Sequence, residues 1–220
     1  MLTLFTPDSR LLAHNESVHE IDKVIFHWIN YWPDSWQTFY VFFSNGIKTP
    51  AVRLSLVAFV LLMLALGPRP RAAIIQALIA FPFANGITDV LKDVFKWQRP
   101  CVELTDVLMR VMKLTSYGTA SAHSANMAAV ATVLVLRLGG WGLPWIAIAF
   151  FTGISRVYVG VHYPSQVLLG WLCGIVAGLL VVKTWDRIVE TRSFGRTRSE
   201  QDAASHEPVY PTDGDAEALI

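Results

Sequence analysis

Between residues 50 and 185 the chain carries five stretches, roughly 50–67, 71–91, 121–138, 142–158 and 164–184, in which apolar residues run almost unbroken. Each approaches the ~20 residues that a helix needs to cross a bilayer's hydrocarbon core. Only helices and closed barrels satisfy every backbone polar group in lipid, and runs of this length favour helices. The pattern predicts an all-α fold: a polytopic membrane helical bundle with about five transmembrane helices, occupying residues 50–185. Composition agrees, with 53% hydrophobic and only 16% charged residues, against about 25% charged in ordinary soluble domains. The net charge of +1 is spread without a basic block. The expected partners are therefore membrane lipids and not nucleic acid.

The flanks differ from this core. In residues 18–32, Val18, Ile21, Val24, Ile25, Trp28, Ile29 and Trp32 share one helical stripe, with Glu20, Asp22, Lys23, His27 and Asn30 elsewhere. Such a helix is expected to lie in the membrane interface, so residues 1–49 are assigned as an interfacial amphipathic region. Pro33-Asp34 argues against a span through 24–46. Residues 1–20 contain Asp8, Arg10, His14, Glu16, His19 and Glu20, unlike a cleavable signal peptide, so an internal apolar segment should direct insertion. From about Asp186 to Ile220 the sequence turns charged and Ser-rich, which predicts a disordered tail. The two cysteines, Cys101 and Cys173, are too few for a disulfide framework and lack zinc-site spacing.

Five crossings place the end of span two, the start of span three and the junction of spans four and five on one side. Arg69, Arg71, Arg137, Lys183, Arg187, Arg192, Arg196 and Arg198 lie on or beside the other side, which the positive-inside rule makes cytoplasmic. Lys23, Lys48, Arg53, Lys96, Arg110 and Lys113 blur that bias. The expected protein is multi-pass in the cell inner (plasma) membrane, with a cytoplasmic C-terminus. Its polar clusters would face outward, into the periplasm where a second membrane exists.

Three polar clusters fall on that outward side. Lys92 and Arg99, followed by Pro100, supply a point charge and a planar fork suited to phosphate oxygens; taken alone, they also fit cations snorkelling from a helix end. Ser121, Ala122 and His123 open span three, where Ser121 is a good N-cap and the first N–H groups can bind an anion. His123 there could protonate a leaving oxygen. Ser155, Arg156, His162, Pro164 and Gln166 lie at the junction of spans four and five. An arginine and a histidine beside apolar helices are costly unless used or paired, and a neutral, oriented imidazole is a good nucleophile. Three cations, two histidines and a helix N-terminus suit phosphoryl transfer. Asp93, Glu103 and Asp106 are scattered, so neither a metal site nor a cofactor is expected. Arg110 and Lys113 in the 92–119 loop could meet an anionic headgroup or be solvated.

In order and spacing, these clusters resemble the tripartite signature of the type 2 phosphatidic acid phosphatase superfamily. That family's Lys, six residues, Arg-Pro is matched by Lys92, Arg99 and Pro100. Its Pro-Ser-Gly-His is matched by Ala120, Ser121, Ala122 and His123. Its Ser-Arg, five residues, His, three residues, Asp is matched by Ser155, Arg156, His162 and Gln166. The resemblance covers about residues 15–185. It implies a lipid phosphate or pyrophosphate phosphatase acting through a phosphohistidine, with substrates such as undecaprenyl pyrophosphate, phosphatidylglycerol phosphate, phosphatidate or a lipid A phosphate. Lys92, Arg99, Arg156, Ser121 and the N–H of Ala122 would hold phosphate. His162 would attack phosphorus, and His123 would protonate the leaving group.

Three positions depart from the family pattern: Ala120 for proline, Ala122 for glycine and Gln166 for aspartate. A left-handed backbone at 122 would disfavour alanine. Gln166 can accept the bond that orients His162 but brings no charge, and losing that charge in an analogous triad costs orders of magnitude in rate. Gln166 could instead cap span five by reaching back to Tyr163. Two alternatives to hydrolysis stay open: transfer of the phosphoryl group to another lipid, and a catalytically silent protein that binds a lipid phosphate.

Overall fold

The computed structural model describes residues 9–205, with side chains from 19 to 191. Residues 1–8 of the segment judged unlike a signal peptide, and residues 206–220 of the expected tail, lie outside the described residues. Eight α-helices follow in order: α1 Ser9–Asn30, α2 Gln37–Asn45, α3 Pro50–Ala65, α4 Pro68–Phe95, α5 Pro100–Glu103, α6 Ala122–Leu138, α7 Leu143–Tyr158 and α8 Pro164–Ser205. Short 3₁₀ turns occupy Asp34–Trp36, Gly46–Lys48 and Gly139–Gly142, and the described residues contain no strand. The chain divides into two compact units, residues 1–182 and 183–220.

Each of the five apolar stretches appears as one helix, α3, α4, α6, α7 or α8. Their starts follow proline placement: α3, α4 and α7 carry Pro at the first or second helical position, and α8 begins at Pro164. There the missing N–H costs nothing and φ is already set. Gly139 ends α6 with φ 59°, a value that a side chain would disfavour. By length and hydropathy, Pro68–Glu103, Ala122–Tyr158 and Pro164–Thr191 qualify as membrane spans. The middle segment is broken at Gly139–Gly142, and its halves α6 and α7 pack on one another. A fourth candidate is the pair Asp34–Lys48 and Pro50–Ala65, bent by 65°.

The C-terminal flank departs from expectation. Residues 186–205 continue α8 as helix, whereas their charge and serine content suggested disorder. Asp186, Arg187 and Glu190 are tolerated on an extending helix, and the Thr191 hydroxyl donates to Arg187 O one turn back (2.8 Å). In α1, most of the apolar stripe faces away from the protein: Ile21, Val24, Ile25 and Trp28 are exposed, while Asp22, Phe26, Ile29 and Asn30 are buried. Protein contacts take the side of α1 that carries Asp22, Phe26, Ile29 and Asn30 and leave most of the apolar stripe open. This inverts the pattern of a soluble surface helix and fits a helix bathed by lipid.

Two cores result. Alanines of α4 (Ala73, Ala77, Ala80, Ala84) meet Ala125, Ala129 and Val133 of α6 and Cys173 and Ala177 of α8. Small residues allow this close approach, as in membrane helix pairs generally. A Cβ added at Gly174 would stand 2.1 Å from Ala125 O, and one at Gly170 2.5 Å from Ser121 O, so α6 and α8 touch backbone to backbone. The second core is larger-grained, with Phe26, Ile29, Tyr40, Tyr158, Tyr163 and Val167 joining α1, α2 and the α7–α8 connection.

Substituting Gly174→Val should force α6 and α8 apart and destabilise the protein by about 2 kcal/mol, seen as a clear drop in Tm in detergent. Gly86→Ala is the control, since an added Cβ there meets nothing within 4 Å; its Tm should stay level or rise.

Candidate active site

The third cluster supplies the centre of the site. His162 lies in the connection between α7 and α8, and only 3% of its surface is exposed. Its Nδ1 donates to Gln166 Oε1 at 2.9 Å, and its Nε2 accepts from Arg99 Nη1 at 2.7 Å. The two bonds are consistent with one tautomer, protonated on Nδ1 with the Nε2 lone pair pointing at Arg99. Burial first, then the positive charges of Arg99 and Arg156, hold the His162 pKa well below its ordinary 6.5, against the opposing bond from Gln166.

Gln166 performs both tasks considered for it. Its Oε1 accepts from His162 and also from the Tyr163 N–H (3.3 Å), so orienting the imidazole and capping α8 are one arrangement. Its Nε2 donates to Gln98 O at 2.7 Å, which fixes which end of the amide faces His162. A carboxylate could not make that last bond. A Cβ on Gly118 would stand 2.7 Å from Gln166 Oε1 and from Arg99 Cγ, so a glycine at 118 lets the two side chains close over the backbone.

The two arginines behave differently. Arg99 is buried and all five of its N–H donors meet protein acceptors: Ser116 O, Ser116 Oγ, Tyr117 O, Val161 O and His162 Nε2. Arg156 is equally buried at 3% exposure, yet it donates from Nη1 only to Ser44 Oγ, and its buried Nε has no partner. Neither guanidinium meets a carboxylate among the described residues. A buried cation left so incompletely answered is expensive unless an anion completes it.

The first two clusters close the ring. Ser121 caps α6, its Oγ accepting from Ser124 N (3.4 Å), while Ser121 N donates to Gln166 O (2.9 Å). Helices α6 and α8 therefore begin side by side. Ala122 is the first helical residue, and Lys96 is the one non-glycine with positive φ among the described residues. The glycine-to-alanine change at 122 thus meets no left-handed backbone, and its N–H stays free for an anion. His123, one residue on, is exposed and feels the charges of Arg156, Lys48, Lys92 and Arg99. Lys92, in the last turn of α4, pairs with Asp89 at 2.8 Å. The structure thus gathers Lys92, Arg99, Ser121, Ala122, His123, Arg156, His162 and Gln166 at one end of the bundle. Among the described residues, no three His, Cys, Asp or Glu side chains stand together as a metal-holding group.

Several supporting residues carried no sequence signal. Arg110 is neither solvated nor turned toward a headgroup: it bonds Asn30 O, Tyr158 O and Trp32 O, pairs with Asp34 and lies 4.2 Å over the Tyr158 ring. Asp22 of α1 accepts from both Ser165 N and Ser165 Oγ, capping α8 three residues past His162. Tyr163 donates to Glu103, which also pairs with His19 (2.7 Å) and Lys23 (3.6 Å). Helix α1 thereby clasps both sides of the imidazole's connection. These contacts span 60 to 143 residues in sequence, beyond any local pattern.

Fold and site together define a helical membrane protein with two buried arginines gathered at one end of its bundle. The sequence model of the PAP2 superfamily matches residues 71–190, more than half of the chain, and the chain belongs to that superfamily. It is similar to the bacitracin transport permease protein BcrC of Bacillus licheniformis, 29% identical over 114 residues, 52% of this chain and 56% of the relative. The undecaprenyl-diphosphatase of Sulfolobus acidocaldarius is 32% identical over 122 residues, 55% of this chain and 59% of that one. The chain thus spans less than two thirds of these relatives' lengths. In fold it resembles Aquifex aeolicus LpxE, with TM-score 0.61 and 24% identity over 74% of this chain and 95% of the other. The PAP2-type phosphatidylglycerolphosphate phosphatase of Bacillus subtilis gives the same TM-score and identity, over 78% and 88%.

Because His162 is held neutral while an unfolded histidine titrates near 6.5, the unfolded chain gains a proton below that pH that the folded chain refuses. Stability contributed by His162 is therefore complete above pH 6.5 and declines as pH falls below it, by up to ~1.4 kcal/mol per pH unit. The acid-side fall in Tm between pH 7.5 and 5 should be shallower in His162→Gln than in the wild type. Equal slopes would show that His162 titrates in the folded protein as it does unfolded.

Proposed function

We propose that this chain is a lipid phosphate or diphosphate phosphatase that forms a phosphohistidine on His162 without a metal. The observation that carries it is the pairing of an oriented, neutral His162 with the incompletely answered cation of Arg156 beside it. A phosphate entering this pocket supplies the missing acceptors for Arg156 and for the free N–H groups at the start of α6. It also takes over the Arg99 Nη1 donor, releasing the Nε2 lone pair that Arg99 occupies in the resting site. Lys92 and Ser121 complete the cradle. With guanidinium groups already in place, charge developing on the equatorial oxygens is met by fixed donors, the main requirement of phosphoryl transfer. The same positive field disfavours a divalent cation.

In the first half-reaction, His162 Nε2 bonds to phosphorus, the bond to the leaving oxygen breaks, and His123 gives that oxygen its proton. In the second, His123 takes a proton from water, whose oxygen attacks the phosphohistidine and releases inorganic phosphate. Gln166 holds Nδ1–H throughout, stabilising the imidazolium by dipole and not by charge. Phosphorylation of His162 followed by water attack favours hydrolysis over transfer, because exposed His123 can reach water. Relatives named for undecaprenyl diphosphate support a polyprenyl or similar lipid substrate.

The membrane placement belongs to the same proposal. The site ends of α4, α6, α7 and α8 coincide, whereas Arg69 and Arg137, joined by the Arg69 Nε bond to Arg137 O (2.9 Å), mark the opposite end. Counting α3, α4, α6, α7 and α8 as five crossings puts that arginine end in the cytoplasm and the active site on the outer face of the plasma membrane. Residues 1–49 lie at the interface, residues 50–185 form the catalytic core and the C-terminus is cytoplasmic.

The test is inorganic phosphate release by the purified full chain in detergent with excess EDTA, across lipid monophosphates and diphosphates. Release should survive chelation and fall by at least about a thousandfold in His162→Ala, the scale of losing an essential nucleophile. Loss with EDTA, or unchanged turnover in His162→Ala, would overturn the mechanism. Binding without turnover in the wild type would favour the silent lipid-phosphate-binding alternative and point to Gln166 as its cause.

A further inference from the structure

One cation near the site belongs to none of the three clusters and lies outside the matched segment 71–190. Lys48 closes the 3₁₀ turn Gly46–Lys48 between α2 and α3, a connection fixed at both ends. On one side, Ser44 receives the Arg156 guanidinium. On the other, Thr49 returns both its N–H and its hydroxyl to Gly46 O (2.9 and 2.7 Å) just before Pro50 starts α3. Ser44 and Lys48 are four positions apart, about 8 Å at the rise of a 3₁₀ turn, so the lysine stem begins close to the Ser44–Arg156 contact. The charge of Lys48 reaches His123, as do those of Arg156, Lys92 and Arg99. Lys92 shares its charge with Asp89. Lys48 is exposed and pairs with no acidic side chain among the described residues.

The position of that charge matters chemically. His123 is the group that meets the leaving oxygen, so a cation beside His123 is a cation beside the leaving group. When a lipid monophosphate is cleaved, the leaving group departs as a neutral alcohol and gains little from a nearby ammonium. When the terminal phosphate of a lipid diphosphate is cleaved, the leaving group is the inner phosphate, on which negative charge accumulates as the bridging P–O bond breaks. Arg99, Arg156 and the α6 terminus are then occupied by the phosphate under attack. Lys48 remains for the other.

Resting on the phosphatase chemistry above, we infer that Lys48 is a specificity residue that contacts the inner phosphate of a lipid diphosphate and makes diphosphates the preferred substrate class of this site. The Lys48 ammonium donates hydrogen bonds to the non-bridging oxygens of that phosphate, while His123 protonates the bridging one. No group is transferred to Lys48. Its contribution is electrostatic and is largest as the bond breaks.

The test compares kcat/KM of the full chain in detergent for a polyprenyl diphosphate and for the monophosphate of the same alcohol. Lys48→Gln should lower the diphosphate value by about tenfold, the scale of one charge-assisted hydrogen bond, and change the monophosphate value by less than about twofold. Lys48→Arg should recover most of the loss. An equal fall for both substrates, or no fall for the diphosphate, overturns the assignment while leaving the phosphohistidine chemistry intact. If the wild type hydrolyses neither lipid, the catalytic proposal fails separately, and Lys48 is judged by thermal stabilisation with inorganic pyrophosphate and with inorganic phosphate. Selective loss of the pyrophosphate response in Lys48→Gln supports the contact, and an undiminished response refutes it.

Discussion

Two guanidinium groups, Arg99 and Arg156, lie buried at one end of the helical bundle with no carboxylate among the described residues to answer them. Removing such charges from water is costly, and the surroundings must repay part of that cost. For Arg99 the protein does so fully, with five acceptors drawn from the loop before α6 and from the connection before α8. For Arg156 it stops short, supplying Ser44 alone. Much of the architecture follows from these two solutions. The 92–119 loop folds inward to bring Ser116 and Tyr117 to Arg99, and α2 packs on α7, where Ser44 reaches Arg156. The unanswered Nε of Arg156 is the feature on which the proposed phosphate site rests.

The membrane is the second constraint, and it explains why the helices meet as they do. Apolar surface gains little from burial against protein when lipid is the alternative. The bundle is accordingly held by close approach of small residues, with Gly170 and Gly174 of α8 against the α6 backbone, and large residues such as Leu54, Leu61, Leu172 and Val176 are left outward. The backbone contact of α6 with α8 has a chemical consequence. It sets the Ser121 cap beside Gln166, so the start of α6 and the histidine-orienting amide share one junction. Without that approach, His162 and His123 would face the pocket from independent positions.

Helix α1 shows the two constraints combined. Its apolar stripe looks outward, while Asp22 and Asn30 on its buried side bond to Ser165 and to Leu108 and Tyr158 backbone groups. It leaves most of its apolar stripe outward and uses polar residues to hold the α7–α8 connection, the reverse of a soluble amphipathic helix. Burial also raises the Asp22 carboxyl against the opposing Ser165 bonds, a sign of how tightly it is packed.

The local pattern of residues determined the five apolar helices, their proline-led starts and the three polar clusters on one side, because length, hydropathy and capping act over a few turns of chain. It also determined that Ser121 caps α6, and its spacing marked Lys92, Arg99, His123, Arg156 and His162 for one site. What only the tertiary structure decided were relationships between distant segments. Gln166 both orients His162 and caps α8, because its amide is gripped by Gln98 O. Arg110 is a buried strut and not a headgroup contact, because α1 ends beside it. The face of α1 that meets protein carries Asp22 and Asn30 beside Phe26 and Ile29, while most of its apolar stripe turns away from the protein. The turn that carries Lys48 is tied down through Ser44 and Arg156, a contact between residues 112 positions apart. Hydrogen bonds of this reach depend on where whole helices come to rest, and no periodicity within one helix encodes them.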